Sequence, residues 1–263
     1  MKTLIHITVL GLIRDRVLQA MLFSSLLMLL VPTLSAFSMR QVTELSITLS
    51  LSFVSLLLLL IAVFLGSTSL WRDIERRYTI SVLSLPLSRT SYVLAKYCAI
   101  AIVICAIVAL LGFLSLILIQ ISSGMYPPGR PIAWDCILLA YLFTACKYLL
   151  LSAFAFLFSS FSTSFFLPVF GTLIIFFVGS GSQQVYDFIN SQSSAQLPAA
   201  FKSAGAILYF LLPNFSAFDL TVHAVYSIPL SLEGILLTSA YFIVYSAAVL
   251  SLAAAIFSRR EIR

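Results

Sequence analysis

Charged residues are scarce in this sequence: they occupy 9% of its 263 positions, while apolar residues occupy 61%. Soluble domains carry roughly 25% charged and 45–50% apolar residues, so this chain lacks the polar surface that solubility requires. The mean hydropathy of +1.11 reflects the same imbalance. These figures exclude a soluble globular protein and indicate a chain that lies in a membrane.

Histidine and cysteine are also rare, and their spacing forms no metal-binding pattern. The two histidines, His6 and His223, are predicted to lie on opposite sides of the membrane and therefore cannot share a metal. We interpret the four cysteines as buried structural thiols, with a disulfide or a metal site as the alternative, and we predict no cofactor. They lie within apolar runs, without a CxxC pair, at Cys98, Cys105, Cys136 and Cys146.

Motifs for enzymatic chemistry are missing from the sequence. It contains no GxxxxGK[ST] loop, so this chain does not itself cradle nucleotide phosphates, and it contains no HExxH motif. No pair of aspartates lies within the apolar runs, and Gly179-Ser180-Gly181 has no histidine at a matching depth. We therefore predict a protein without catalytic residues rather than an intramembrane enzyme.

Long apolar runs are what the sequence does contain. Each reaches the roughly 18–20 residues that a helix needs to cross about 30 Å of hydrocarbon. The runs are continuous rather than alternating, which disfavours a β-barrel. We predict an all-α integral membrane protein whose six transmembrane helices lie near residues 17–38, 45–69, 92–122, 133–158, 164–181 and 231–257.

We interpret the net charge of +6 as a sign of how the chain is oriented in the membrane, and not of nucleic-acid binding. With a cytoplasmic N-terminus and six spans, only Arg40, Arg130 and Lys202 fall outside the cell, which follows the positive-inside rule. Both termini are thus predicted to be cytoplasmic. For span one the alternative is a cleaved signal peptide, which the long lead containing Asp15 disfavours. The predicted cytoplasmic set is Lys2, Arg14, Arg16, Arg72, Arg76, Arg77, Arg89, Lys96, Arg259, Arg260 and Arg263.

The densest charge cluster lies in residues 70–91, between spans two and three. Asp73 and Arg77 are four residues apart, a spacing that favours an ion pair along a helix. Acidic residues contribute little to orientation, so the presence of Asp73 and Glu75 favours a docking surface over a loop that only fixes topology. We predict that this loop is a cytoplasmic contact for another protein.

Two further segments lie outside the six spans. Residues 1–16 place Ile5, Val9 and Leu12 on one side and are predicted to form a cytoplasmic lead helix. Residues 182–230 are predicted to lie outside, with residues 204–218 as a re-entrant or interfacial segment interrupted by Pro213. The rival interpretation is a seventh span, which would put the C-terminal arginines outside.

Lys147 lies near the middle of span four, about 16–20 Å from either end of the helix. A charge at that depth costs roughly 2.5–3.5 kcal/mol and indicates a functional residue. Two interpretations stay open. Lys147 either faces a translocation path or dimer seam, or it pairs with backbone carbonyls inside a packed bundle, because no acid is expected opposite it.

Residues 61–97 also carry a series of motifs in order. They read Phe64-Leu65-Gly66, Ile74-Glu75-Arg76-Arg77, Leu83-Ser84-Leu85-Pro86-Leu87-Ser88-Arg89 and Leu94-Ala95-Lys96-Tyr97. Together with residues 13–18, 209–219 and 257–261, these motifs resemble the permease subunits of type-2 ATP-binding-cassette exporters. The resemblance covers the chain from end to end.

This resemblance implies a half-transporter in the inner membrane of a prokaryote. Two permease copies, identical or related, would pair in the lipid bilayer and form the path, and separate ATPase subunits would supply the energy. The loop 70–91 would then be the coupling helix, residues 159–164 a minor second contact, and Pro213, Asn214 and Asp219 part of the external segment. The alternative function is a membrane assembly factor or channel without an ATPase partner. The predicted coupling residues are Arg72, Asp73, Glu75, Arg76, Arg77, Pro86 and Arg89.

Overall fold

The computed structural model describes residues 1–38, 41–75, 88–126, 130–191 and 212–260, together with residues 198, 202, 203, 205 and 209. The described residues form helices and connecting turns, with no strand among them. The α-helices are α1 (Lys2–Ile13), α2 (Arg16–Ser24), α3 (Val31–Ala36), α4 (Val42–Glu75), α5 (Arg89–Met125), α6 (Trp134–Phe161), α7 (Phe166–Asn190), α8 (Thr221–Tyr226) and α9 (Leu232–Arg259).

Six helical segments are long and apolar enough to cross a membrane, which confirms the predicted number and order of spans. The first joins α2, a 3-10 stretch (Ser25–Leu30) and α3, and the other five are α4, α5, α6, α7 and α9. The main difference is at α7, which continues to Asn190, beyond the predicted end of span five at residue 181. The first residues of the predicted external segment are therefore helical.

Proline explains the irregular middle of the first span. Pro32 stands in the first turn of α3, where it has no N–H to donate and its ring crowds the carbonyl four residues earlier. The preceding residues Ser25–Leu30 adopt a 3-10 helix instead. Ser24 and Ser25 bond back to the carbonyls of Met21 and Leu22, at 2.7 and 2.5 Å, which satisfies their hydroxyls within the same segment.

The helix α6 lies at the centre of the bundle and contacts α4, α5, α7, α8 and α9. It approaches α4 closely at Gly66, where an added Cβ would lie 2.8 Å from the Cβ of Ala155. Small residues at such a crossing let two backbones come together and gain dispersion contacts. The Phe64-Leu65-Gly66 motif of the sequence therefore lies at a close α4–α6 contact.

We expect Gly66→Ala to destabilise the bundle even though alanine is the better helix former. The new methyl group meets Ala155 of α6, which is no flexible side-chain end, so the helices must separate, at a cost of about 1–3 kcal/mol. Gly124→Ala is the matched control, because nothing lies within 4 Å of its added Cβ in α5. Thermal unfolding in detergent should show a lower midpoint for the first variant only. Equal midpoints would contradict the close approach.

The two ends of the bundle differ in charge. At the basic end, α4, α6 and α9 finish and α2, α5 and α7 begin, so Arg16, Arg72, Arg89, Lys96 and Arg259 all lie there. The opposite, distal end holds the start of α6 and of α9. The lead helix α1 packs against α5; its buried residues are Thr8 and Leu12, whereas Ile5 and Val9 are half-buried.

The distal segment, residues 212–231, covers the distal part of α6. A 3-10 turn (Phe215–Phe218) packs on α6 and α7 with Phe215 and Phe218 fully buried, and α8 packs on α6 and α4. Ser227 ends α8 in the left-handed region at φ 55° and donates from Oγ to the carbonyl of Pro131 at 2.9 Å. Most of residues 204–211 lie outside the described residues, so the re-entrant segment stays a prediction.

Candidate functional site

A salt bridge ties the end of α4 to the start of α2. The guanidinium of Arg72 binds the Asp15 carboxylate at 2.7 Å. Asp15 also caps α2, because its side chain accepts from the backbone N–H of Val17 at 2.9 Å. Burial by itself would raise the pKa of Asp15, but the Val17 N–H and the Arg72 charge outweigh it and hold this pKa below its usual value.

A second ion pair, more deeply buried, joins α4 to α5. The Asp73 carboxylate pairs with the ammonium of Lys96 and accepts a hydrogen bond from the hydroxyl of Tyr92. The Lys96 side chain is 9% exposed and that of Asp73 17% exposed. Tyr92 in turn stacks on Phe257 of α9, with ring centroids 5.9 Å apart. Three helices therefore meet around one carboxylate.

Two arginines cap the ends of helices other than their own. Arg89, at the start of α5, donates to the carbonyls of Ser258 and Arg260 at the end of α9, at 3.1 and 2.7 Å. Arg260 donates to the carbonyls of Ser159, Ser160 and Ser162 at the end of α6, at 3.3, 3.0 and 2.8 Å. Helix C-termini expose unpaired carbonyls and carry partial negative charge, so a guanidinium is well matched to both places.

These contacts join one set of charged and polar residues, which we call the basic-end cluster. The cluster links the basic ends of α2, α4, α5, α6 and α9 to one another. Trp71 extends the links to the start of α7 through its ring contact with Phe165, 5.3 Å between centroids. The cluster comprises Asp15, Arg72, Asp73, Arg89, Tyr92, Lys96 and Arg260.

The residues predicted for ATPase coupling separate into three groups. Arg72, Asp73 and Arg89 are engaged within the chain, in the contacts just described. Glu75 is exposed at the end of α4. The other three residues, Arg76, Arg77 and Pro86, lie outside the described residues, and with them the predicted pair between Asp73 and Arg77.

Lys147 lies 13 residues after Trp134 and 14 before Phe161, at mid-helix as predicted. Its ammonium lies over the rings of Tyr148 and Phe176, 5.8 and 5.3 Å from their centroids. It also lines a polar cavity of about 90 Å³ between α4, α6 and the distal segment. The other polar residues of that cavity are Ser52, Ser55, Thr144, Asp219 and Thr221.

The expectation that no acid lies opposite Lys147 is wrong. The distal segment brings Asp219 into the same cavity, close enough for the two charges to interact. The sequence predicts a loop residue at Asp219, because its segment is short and irregular. Hydropathy therefore does not indicate how deep in the membrane this residue lies. Asp219 also accepts hydrogen bonds from the N–H and hydroxyl of Thr221, at 3.1 and 2.6 Å.

Asn214 and Pro213 anchor the distal segment to its neighbours. The backbone N–H of Asn214 donates to the Tyr241 hydroxyl at 3.0 Å, and its side-chain amide donates to Gln183 at 2.7 Å. The carbonyl oxygen of Pro213 would lie 2.4 Å from a Cβ added at Gly179. That glycine therefore allows close packing of the segment on α7.

The bundle of six spans, with charged links at one end and a polar cavity at mid-depth, defines a multi-pass integral membrane protein. The chain belongs to the ABC-2 transporter family, because the family model described as ABC-2 family transporter protein matches residues 11–218. Members are transmembrane permease subunits of ABC transporters, normally non-catalytic, and the family implies an ABC ATPase partner in general. No curated protein matches the sequence.

Proposed function

We propose that this chain is the membrane subunit of an ATP-driven exporter and that it receives motion from a separate ATPase through the loop between α4 and α5. The observation that carries the proposal is the basic-end cluster. The cluster surrounds both ends of that loop, since Arg72 and Asp73 precede it and Arg89 and Lys96 follow it. A push on the loop therefore reaches several spans at once.

The cluster suits mechanical coupling because its contacts are directional and cross between helices. Allosteric motion travels as rigid-body displacement when packed elements are held by specific contacts. Arg72 and Asp73 serve as internal links in this mechanism, whereas Glu75 is the exposed residue that would contact the ATPase. In this proposal the basic end is cytoplasmic, as its excess of arginine and lysine favours.

A pair of permease copies is supported by the surface around Lys147. Ser52 and Asp219 are exposed on the same face of the chain, and the Lys147 cavity lies between them. Charged groups facing lipid are costly at membrane depth and normally face a bundle interior or a water-filled cavity. We therefore infer that this face lines the translocation path and is covered by a second copy.

The test of the proposed function is isolation of the chain from native membranes with mild detergent. We expect a P-loop ATPase to co-purify and its ATP hydrolysis to depend on the permease. A neighbouring reading frame that encodes such an ATPase would support the same conclusion. Recovery of the chain alone, with no ATPase under conditions that preserve other transporter complexes, would favour the assembly factor or channel.

We expect the substitution Glu75→Lys to reduce ATPase co-purification at least severalfold without changing the thermal stability of the chain. Glu75 is exposed at the end of α4, so a charge reversal there alters a docking surface rather than the core. Glu233→Lys is the matched control, an exposed glutamate at the distal end. An equal loss in both variants would show that Glu75 makes no specific contact.

A further inference from the structure

The charge on Lys147 requires compensation that its own helix does not provide. Among the described residues, none forms a direct ion pair with its ammonium, which is held over the Tyr148 and Phe176 rings. Cation–π contacts with two rings offset only part of the cost of placing a lysine at mid-membrane. A nearby negative charge would supply the difference.

Asp219 is the acidic residue that lines the same cavity as Lys147. The cavity measures about 90 Å³ and is lined by hydroxyl groups, so it has room for a few water molecules that bridge the two charges. The geometry therefore favours a counter-charge across bridging water over a cargo site at Lys147.

We propose that Asp219 is the counter-charge of Lys147 and that this pair positions the distal segment on α6, holding the distal end of the path closed. Phe215 and Phe218 bury the 3-10 turn, and Ser227 binds Pro131 at the other end of α8. Asp219 lies between these two anchors. The Lys147–Asp219 pair therefore lies where this part of the segment faces α6.

Cys136 offers a readout of this position in the natural chain. It lies buried near the start of α6, where its thiol donates to the carbonyl of Ile228 at 3.6 Å, directly after α8. Movement of α8 away from α6 would uncover the thiol. Labelling by a small thiol reagent, with the modified peptide identified by mass spectrometry, separates Cys136 from the other three cysteines.

We expect Asp219→Asn and Lys147→Met each to speed Cys136 labelling by about fivefold in lipid nanodiscs, as loss of a partly exposed charge pair would. The double variant should label no faster than either single variant, because the pair is already broken. Lys147→Arg should keep labelling slow, and Glu233→Gln, which removes an exposed carboxylate at the start of α9, should leave it unchanged.

Unchanged labelling in both single variants, or additive effects in the double variant, would overturn the proposal. The positional part of the inference does not depend on the exporter function, because the nanodiscs contain the permease without an ATPase. Its consequence for transport rests on the proposed function. If Cys136 labelling follows the prediction but no ATPase co-purifies, only the proposed function fails. If an ATPase co-purifies but Cys136 labelling is unchanged in the variants, only the positional inference fails.

Discussion

Replacing Lys96 with methionine is expected to lower the free energy of unfolding by about 3 kcal/mol. Methionine keeps the length of the side chain but removes the ammonium, so the Asp73 carboxylate stays buried with the Tyr92 hydroxyl as its remaining partner among the described residues. Removing one member of a buried ion pair typically costs roughly 3–5 kcal/mol. A cavity of about 230 Å³ between α1, α4 and α5 borders the pair and gives water some access, which favours the lower part of that range.

The double variant Lys96→Met/Asp73→Leu distinguishes an unpaired charge from lost packing. Because both charges are gone, we expect it to recover most of the stability that the single variant loses. Lys2→Met is the control, since Lys2 is exposed on α1 and its replacement should change stability by no more than about 0.5 kcal/mol. Chemical unfolding in detergent supplies the three values. A double variant as unstable as Lys96→Met would contradict the charge explanation.

The number and order of the spans could be predicted because each apolar run is continuous and long enough to cross the bilayer. The end of α7 could not be predicted in this way. Its last turns contain Gln183 and Asp187, whose side chains bond to each other at 2.9 Å along the helix. Polar residues in such i, i+4 pairs continue a helix beyond its apolar part, and a hydropathy criterion stops too early.

The partners of the charged residues depend on contacts between helices, and composition alone does not reveal them. The charged segment predicts that Asp73 belongs to a docking surface. In the structure, however, its partners Tyr92 and Lys96 lie on the next helix. The pairing requires the relative depth of α4 and α5. The sequence does single out Lys96, because this residue lies in the Leu94-Ala95-Lys96-Tyr97 motif, but the motif does not identify its partner.

Asp219 and Lys147 show the same limit more strongly, since 72 positions separate them in the chain. Lys147 could be singled out from its depth in a regular helix. Asp219 could not, because a 3-10 turn and a short helix hold it beside α6, and neither has a hydropathy signature. Irregular backbone at membrane depth is tolerated where it packs against protein, and only the packing reveals its position.

The substitution Arg260→Ala is expected to have the largest effect on transport. It leaves three carbonyls at the end of α6 without their charged donor and separates the end of α9 from the loop after α6. Hydrogen bonds to charged groups contribute roughly 1.5–3 kcal/mol. The site is partly exposed, so we expect the loss of all three hydrogen bonds together to lower the free energy of unfolding by about 2–3 kcal/mol.

Transport should fall further than this stability loss alone would produce, because the proposed function requires α6 and α9 to move together. ATP hydrolysis by the reconstituted complex should continue while export, measured in proteoliposomes, drops at least tenfold. Arg260→Lys should not restore export, because an ammonium cannot span carbonyls that the planar guanidinium reaches with two nitrogens. Arg259→Ala is the matched control, since Arg259 is exposed at the adjacent position. Full export by Arg260→Ala would show that the end of α9 takes no part in coupling.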